Sequence, residues 1–471
     1  MARVESDALR SQVLAQAACD FPAHLERLQR YIRQPSVSAT GRGIDRMTEV
    51  LAADIDGLGG KADIVATSEF PVVYGKSAGD SPRTVLIHGM YDVAVADEPG
   101  WTVPPFSAKR MSLPDLGDCI VGRGGEDTKG PLSAVYGLLD AHAAAGIPLP
   151  VNVILVWEAS ELGSGGMLDF VGRFREELSH ADVAYWPWCT QRRDGTAVVW
   201  LGTKGLMTFK LRCQGGAWGG PLSADIHGMH STWVGNPAYR LVQALATLKT
   251  ADDLDVAVEG LYEGRRGPDE RDRALVAALA ERFDLDAFLA EMNVALLKQK
   301  DVEDALMAHC FQSEFNLSGI QAGKVIEGGH KVLIPREAVA SLDLRFVDGM
   351  TPEHVVRAIR RHLDRHGFED IRLEVINAYL GGRTSVSHWA AKELLGAYGD
   401  IDLDPEIWPR TATAIASGLF TETLGIPWIA TCPGHAGRKH AANEYIQVQG
   451  FKKAIRFMIH LLWRLASADV A

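Results

Sequence analysis

The chain has 471 residues, of which 47% are hydrophobic and 23% are charged, and its formal net charge is -12. This composition is typical of a globular protein with two or three domains, at roughly 150 residues per domain. The acidic balance excludes a protein that binds nucleic acid, because such binding requires a basic surface.

The N-terminal segment is polar and lacks the apolar core of a signal peptide, and no stretch is long and apolar enough for a transmembrane helix. The six cysteines are scattered and form no CxxC pair. We interpret them as reduced thiols. We therefore expect a cytoplasmic protein that does not bind membranes.

Helix and strand patterns alternate over the first 200 or so residues. Helical patterns begin at His24 and end near Pro35, and cover 45–60 and 131–147, while segment 84–93 reads as a strand running into a loop and 152–160 as an apolar strand. This alternation predicts an α/β sheet with both faces covered. Loops after the carboxyl ends of its strands are the expected place for a site.

The pattern changes at Lys204. Segments 205–215 and 336–349 read as amphipathic strands and 352–367 reads as a helix, while 251–305 is charged and helical. Beyond residue 380 the α/β pattern returns, ending in an amphipathic helix. We predict one domain formed by residues 1–203 and 379–471, with an α+β domain inserted at 204–378.

Seven polar motifs follow in order along the chain. Each alone is weak, since Asp, Glu and His are common in loops, but together they span nearly the whole sequence. They are HGMYDV (88–93), GRGGEDTKGP (122–131), EASELGSGG (158–166), DIHG (225–228), NLSGI (316–320), LDLRFVDGMTPE (342–353) and HAANE (440–444).

The set resembles the co-catalytic zinc peptidase and amidohydrolase family of aminoacylase, acetylornithine deacetylase, succinyl-diaminopimelate desuccinylase and the carnosine-type dipeptidases. The dipeptidase subgroup is the most similar, because segments 101–106 (WTVPPF) and 260–263 (GLYE) resemble its WxxPPF and GFYDD segments. The resemblance implies a zinc-exopeptidase-like catalytic α/β domain with an inserted α+β lid domain. It also implies a homodimer formed through the lid.

The resemblance further implies two zinc ions that share an Asp and a water. Asp127 matches the shared Asp, Glu161 a metal-binding Glu, and His440 the C-terminal His. These three side chains complete one site, and their oxygen and imidazole ligands suit zinc. We therefore expect at most one divalent metal ion.

The other site lacks its ligands. Met90 stands where the family has His, and Trp188 stands where it has Asp, by counting from Asp182 and from Gly202. A thioether and an indole are poor zinc ligands, so these two residues are candidates for substrate contact or core packing. His88 is open as a replacement ligand or a plain strand histidine.

Cys189, beside Trp188, is likewise open as a ligand or as packing. The general base is also altered, because Ser160 stands where the family has Glu. Glu126 and Glu158 are the alternative proton acceptors.

Further site residues follow from the resemblance. His227 matches the lid histidine that stabilises the oxyanion in a partner subunit's site, and Arg345 matches an arginine that holds the substrate carboxylate. Arg410, in RTATA (410–414), keeps the arginine of a substrate loop that has lost its glycines, and Asn316 is another substrate-binding candidate. His435 is either a new acid/base group or a turn histidine.

The sequence therefore predicts a divergent metal-dependent enzyme that acts on an amide or peptide-like bond of an amino-acid-derived substrate. Two alternatives stay open because Ser160 replaces the usual base. One is an acyl-transfer or amide-forming enzyme, and the other is a non-catalytic pseudoenzyme that binds a small molecule.

Overall fold

The computed structural model describes residues 2–159, 161, 163, 165–324 and 331–469. Contacts divide the chain into two compact units. The first unit comprises Met1–Gly202, Arg383–Pro409 and Leu419–Ala471, and the second comprises Thr203–Gly382 and Arg410–Gly418. The sequence-based boundaries differ mainly at Arg410–Gly418, which they put in the first domain. The roles of the units as a catalytic domain and a lid remain a prediction.

Twelve α-helices lie in the described part of the chain, each beginning and ending close to a pattern change. They are α1 (Ala2–Cys19), α2 (Phe21–Arg33), α3 (Ile44–Gly57), α4 (Lys129–Ala145), α5 (Gly165–Leu178), α6 (Pro237–Thr247), α7 (Glu270–Arg282), α8 (Leu285–Met292), α9 (Val302–Phe311), α10 (Pro352–Arg365), α11 (Trp389–Gly399) and α12 (Val448–Ser467).

The strands of the described residues are mostly short. They are β1 (Lys61–Val65), β2 (Val72–Ser77), β3 (Thr84–Met90), β4 (Lys109–Leu113), β5 (Gly117–Val121), β6 (Asn152–Glu158), β7 (Val183–Cys189), β8 (Val198–Trp200), β9 (Thr203–Gln214), β10 (Ile226–His227), β11 (Glu314–Ala322), β12 (Leu333–Ile334), β13 (Glu337–Phe346), β14 (Arg372–Tyr379), β15 (Glu406–Trp408), β16 (Thr411–Ala414), β17 (Trp428–Cys432), β18 (Ala436–Gly437) and β19 (Tyr445–Gln447).

The first unit is built on a six-stranded sheet with the order β1-β2-β6-β3-β7-β17. Strands β6, β3, β7 and β17 run parallel, and β1 and β2 complete the sheet as antiparallel strands. Every residue of β7 is buried. Continuous burial of this kind is expected for parallel strands covered on both faces, and it explains the unbroken apolar runs in the sequence.

The second unit contains an antiparallel sheet with the order β11-β13-β9-β14, and β16 pairs with β9 in parallel. Burial alternates along β9 and β13. This is the pattern of a sheet with one covered face, and it matches the amphipathic strands that the sequence predicts here. Helix α10, which begins at Pro352 with Thr351 as its N-cap, contacts β14.

No helix among the described residues is both long enough and apolar enough to cross a membrane.

Candidate metal centre

The carboxyl ends of four parallel strands lie side by side at one edge of the first unit's sheet. Glu158 ends β6, Met90 ends β3, Cys189 ends β7 and Cys432 ends β17. Register confirms the alignment of the first two, because Met90 is paired with Glu158. Glu161 lies in the loop after β6 at this edge, which is where ligands bind in open α/β sheets. Asp127 follows β5 and His440 follows β18, two strands of a separate four-stranded sheet with the order β18-β19-β5-β4.

Asp127, Glu161 and His440 form a compact group. The Nε2 atom of His440 lies 3.0 Å from Oδ2 of Asp127 and 3.2 Å from Oε2 of Glu161. The ligand atoms of the group all lie within 4.8 Å of one another. The two carboxylate side chains are 4% and 9% exposed, whereas the imidazole is 50% exposed.

The donor set fits a divalent cation. The second oxygens, Oδ1 of Asp127 and Oε1 of Glu161, are buried and have no hydrogen-bond partner in the part of the chain that the structure describes. Hydrogen bonds to the two carboxylates raise the pKa of His440 to about 10. Two carboxylates and one imidazole are a common zinc ligand set, and a cation would neutralise the two buried charges.

Glu444 holds the loop that carries Asp127. Its Oε1 accepts hydrogen bonds from the backbone N–H groups of Gly124 at 3.1 Å, Glu126 at 2.9 Å and Asp127 at 2.9 Å. Its Oε2 accepts one from Nη1 of Arg123 at 2.8 Å. Sequence reasoning missed this role, although Glu444 is the last residue of the HAANE motif.

Asn443 holds the loop that carries His440. The side-chain oxygen of Asn443 accepts hydrogen bonds from the backbone N–H and the hydroxyl of Thr102, and its amide nitrogen donates to the carbonyl of Gly100, all at 2.8 Å. The WTVPPF segment therefore anchors the HAANE loop. The backbone φ of His440 is 56°, a value that is uncommon for residues other than glycine.

Asp92 and Thr128 connect the strand ends to the ligands. Asp92 is buried, and its Oδ2 accepts a hydrogen bond from the backbone N–H of Glu161 at 3.1 Å. The hydroxyl of Thr128 donates to the carbonyl of Met90 at 2.5 Å. Asp92 was quoted only as part of a motif in the sequence, and its contact with the metal-ligand loop emerges from the fold.

Glu126, one of the predicted proton acceptors, directly precedes the ligand Asp127 in the chain. Its side chain is partly buried, and Oε2 has no hydrogen-bond partner among the described residues. Burial raises the pKa of Glu126. Glu158 is buried at the end of β6. Ser160 lies outside the described residues.

Packing surrounds Trp188, one of the two positions where the sequence predicts that a second ligand set is lost. Trp188 is 6% exposed, and its ring centroid lies 5.3 Å from that of Trp186 and 6.3 Å from that of Trp200. The ammonium Nζ of Lys439 lies 4.6 Å from the centroid of the Trp188 ring. Met90 is half-buried. These contacts are compatible with both readings of Trp188, because a packed indole can still line a pocket.

His88 and Cys189 occupy interior positions. The Nε2 atom of His88 accepts a hydrogen bond from the indole N–H of Trp428 at 2.8 Å, and burial lowers the pKa of His88 to about 3. The Sγ atom of Cys189 lies 3.7 Å from that of Cys432. The plainer interpretation of both residues, as core side chains, is therefore supported by their partners.

His435 is held at both ring nitrogens. Its Nδ1 lies 2.9 Å from the carbonyl oxygen of Gln191, and its Nε2 lies 2.8 Å from the hydroxyl of Tyr445. Both ring nitrogens of His435 thus have partners within the protein, and this packing favours the turn histidine over a new acid/base group.

The remaining predicted residues belong to the second unit. His227 is exposed and caps a short helix through its Nδ1, which accepts the N–H of Met229. Asn316 is exposed and donates to Oδ1 of Asp343 at 2.9 Å. Arg345 donates to the carbonyl of Ala412.

Arg410, which the sequence predicts to contact substrate, is almost completely buried. Its side chain is 1% exposed and forms an ion pair with Asp348. It also lies over the ring of Phe311, with the guanidinium carbon 5.8 Å from the ring centroid. A contact between Arg410 and substrate remains a prediction, and it requires the pair with Asp348 to open.

Comparison with known proteins places this geometry in a family. Residues 86–464 match the model of peptidase family M20/M25/M40. The Cys-Gly metallodipeptidase of Schizosaccharomyces pombe is 26% identical over 420 residues, which cover 85% of this chain and 83% of that protein. The Beta-Ala-His dipeptidase of Rattus norvegicus is 23% identical over 455 residues, which cover 88% and 87%.

Among solved structures, an M20 family metallo-carboxypeptidase from Sulfolobus solfataricus superposes with a TM-score of 0.86 at 28% identity, covering 94% of this chain and 99% of that one. The predicted resemblance and the predicted α/β fold are therefore confirmed. The chain belongs to the M20/M25/M40 family of peptidases.

Proposed function

We propose that the chain is a metal-dependent peptidase that cleaves the amide bond of a small peptide-like substrate, using one divalent ion bound by Asp127, Glu161 and His440. The observation that carries this proposal is the pair of buried carboxylate oxygens without hydrogen-bond partners in the described chain. Such atoms are costly unless a cation compensates them. The dipeptidase relatives support the substrate class.

A divalent ion at this position supplies Lewis-acid polarisation of a carbonyl group and lowers the pKa of water. The chain's own residues hold the ligands in place. Glu444 fixes Asp127 through its backbone N–H, and Asp92 fixes Glu161 in the same way. Supporting contacts of this kind orient ligands and raise metal affinity.

Glu126 is the proton acceptor in this proposal. The backbone N–H groups of Glu126 and Asp127 donate to the same carboxylate oxygen of Glu444. The Glu126 side chain is therefore attached to the backbone directly beside a metal ligand. Its carboxylate takes a proton from the attacking water and returns it to the leaving amine as the amide bond breaks. In this proposal Glu126 is the proton acceptor, a role to which the serine at position 160 is not suited.

Substrate recognition is assigned to the second unit. His227 stabilises the oxyanion from a partner subunit, Arg345 holds an anionic group and Asn316 contributes a polar contact. Arg410 joins them if its pair with Asp348 opens. A homodimer formed through this unit is part of the proposal. In the first unit, Trp188 and Met90 are proposed to add apolar contacts with the substrate.

Amide synthesis, acyl transfer and binding without turnover gain no specific support from the described residues. The two relatives named above are dipeptidases. We therefore propose hydrolysis.

The test combines metal content with hydrolysis of Cys-Gly and β-Ala-His. We expect one ion per chain by elemental analysis, loss of turnover with a chelator and recovery with zinc. The variant Glu126→Gln should retain the ion and lose turnover, with Glu158→Gln as the matched control. Zero metal with chelator-resistant activity would refute the metal mechanism, and two ions per chain would refute the assignment of Met90 and Trp188.

A further inference from the structure

The space beside the three ligands carries a positive charge of the chain's own. Lys439 directly precedes His440, and its ammonium lies 4.6 Å from the centre of the Trp188 ring. An ammonium over an indole face is held by the negative potential of the ring. The contact therefore holds the ammonium of Lys439 near the carboxyl end of β7.

The two residues at the family's positions for the second ion's ligands, Met90 and Trp188, do not suit a second metal ion. Met90 at the end of β3 offers a thioether, and Trp188 near the end of β7 offers an indole, whereas a divalent zinc ion prefers carboxylate, imidazole or thiolate ligands. Trp188 is also packed against two further tryptophans. Residues here do not fit the second ion of a two-ion site.

Nearby negative charge is nevertheless present. Oδ1 of Asp127 and Oε2 of Glu126 are buried without hydrogen-bond partners in the described chain. Glu126 directly precedes Asp127 in the chain, and Lys439 directly precedes His440, whose Nε2 lies 3.0 Å from Oδ2 of Asp127. The residues that carry the ammonium and these carboxylates therefore flank two ligands that are in contact.

We propose that Lys439 supplies the positive charge that a second metal ion supplies in a two-ion site, and that it restricts this chain to a single ion. The inference rests on the proposed function, because it assumes an ion at Asp127, Glu161 and His440. An ammonium repels a second divalent ion and remains available to bind an anionic group of the substrate. Trp188 fixes its position.

The first experiment restores one missing ligand, keeps Trp188 in place and counts ions. We compare the variant M90H with the double variant M90H/K439Q, using Zn²⁺ and elemental analysis after dialysis. Repulsion between a divalent ion and an ammonium about 6 Å apart is worth about tenfold in affinity even in water. We expect the second Zn²⁺ to bind M90H/K439Q at least about tenfold more tightly than M90H. Equal binding of the second ion, including no binding to either variant, would overturn the proposal.

The second experiment does not depend on the folding of those variants. Lys439 is exposed, so single substitutions there should preserve the fold. We expect the Kd for the single Zn²⁺ to be similar with Lys or Arg at this position, lower in K439Q and lowest in K439E. The matched control is R438Q, which removes the neighbouring exposed charge and should change the Kd less than about twofold.

The outcomes separate the two claims. A wild-type chain that binds no Zn²⁺ refutes the proposed function and this inference with it. A chain that binds one Zn²⁺ with the same Kd whether residue 439 is Lys, Gln or Glu refutes only the role of Lys439.

Discussion

Two histidines of the first unit have opposite electrostatic environments. His440 lies between two carboxylates, which raise its pKa to about 10. His88 lies among aromatic rings, with Phe420 at 4.2 Å and Trp186 at 5.2 Å between centroids, and burial lowers its pKa to about 3. One side of the strand edge therefore attracts cations, and the other keeps a neutral histidine in an apolar core.

The proposed single-ion site rests on this difference. The ligand side has buried carboxylate oxygens without hydrogen-bond partners among the described residues. The filled side, our name for the aromatic cluster around His88 and Trp188, has packed rings instead. A charged side chain at a strand end can be replaced by a packed apolar one without changing the sheet. Side chains there contribute little to the ladder of backbone hydrogen bonds.

The largest effect is expected on the ligand side. The variant His440→Ala should weaken Zn²⁺ binding by more than the roughly 10–100-fold that is typical for the loss of an outer supporting residue. Calorimetric titration measures this. The variant His88→Gln is the control and should bind Zn²⁺ as the wild type does. Unchanged affinity in His440→Ala would remove the distinction between the two sides.

The next largest effect is expected from the loss of Glu444, which supports the loop that carries Asp127. In Glu444→Ala the buried guanidinium of Arg123 loses a partner and three backbone N–H groups lose their acceptor. We expect the free energy of unfolding to fall by about 3 kcal/mol, because a buried charge is left less compensated. Urea denaturation measures it.

Glu98, the other carboxylate partner of Arg123, provides the matched control for that variant. Its side chain is 25% exposed, so Glu98→Gln should cost clearly less than Glu444→Ala. Equal losses would mean that Glu444 does not organise the loop of Asp127.

The filled side should respond to pH. Protonation of His88 breaks its hydrogen bond with Trp428, and its folded pKa lies below the usual value near 6.5. Between these two values the unfolded chain binds more protons, so stability falls as the pH drops below about 6.5. The contribution is at most about 1.4 kcal/mol per pH unit.

The variant His88→Gln keeps an acceptor for the Trp428 N–H but does not titrate. Its unfolding free energy, measured in urea at about pH 6 and about pH 5, should fall less on acidification than that of the wild type. Parallel pH profiles would show that His88 is protonated in the folded protein.

The smallest effect is expected at Met90. The volume-conserving change Met90→Leu should alter stability by less than about 1.5 kcal/mol and leave the Zn²⁺ stoichiometry unchanged. Differential scanning calorimetry and elemental analysis measure the two quantities. Loss of the ion in this variant would place the thioether among the ligands and erase the difference between the two sides.

Much of the fold could be predicted from local patterns. The parallel strands of the first unit are apolar runs, and the sheet strands of the second unit alternate, because one sheet is buried on two faces and the other on one. The charged segment 251–305 was predicted to be helical, and the structure divides it into loops and the helices α7, α8 and α9. Helix boundaries there depend on caps such as Asp269 and Asp284, which a charge pattern alone does not single out.

The order of the motifs determined the family, and their residue types determined which side chains are candidate ligands. Only the tertiary structure could show that His440 lies within hydrogen-bonding distance of Asp127 and Glu161, because 313 residues separate His440 from Asp127 along the chain. It alone assigned Glu444 and Asn443 to the loops they hold, and it alone put the ammonium of Lys439 over Trp188. Such contacts depend on how distant loops pack at one sheet edge, and local sequence patterns carry no information about that packing.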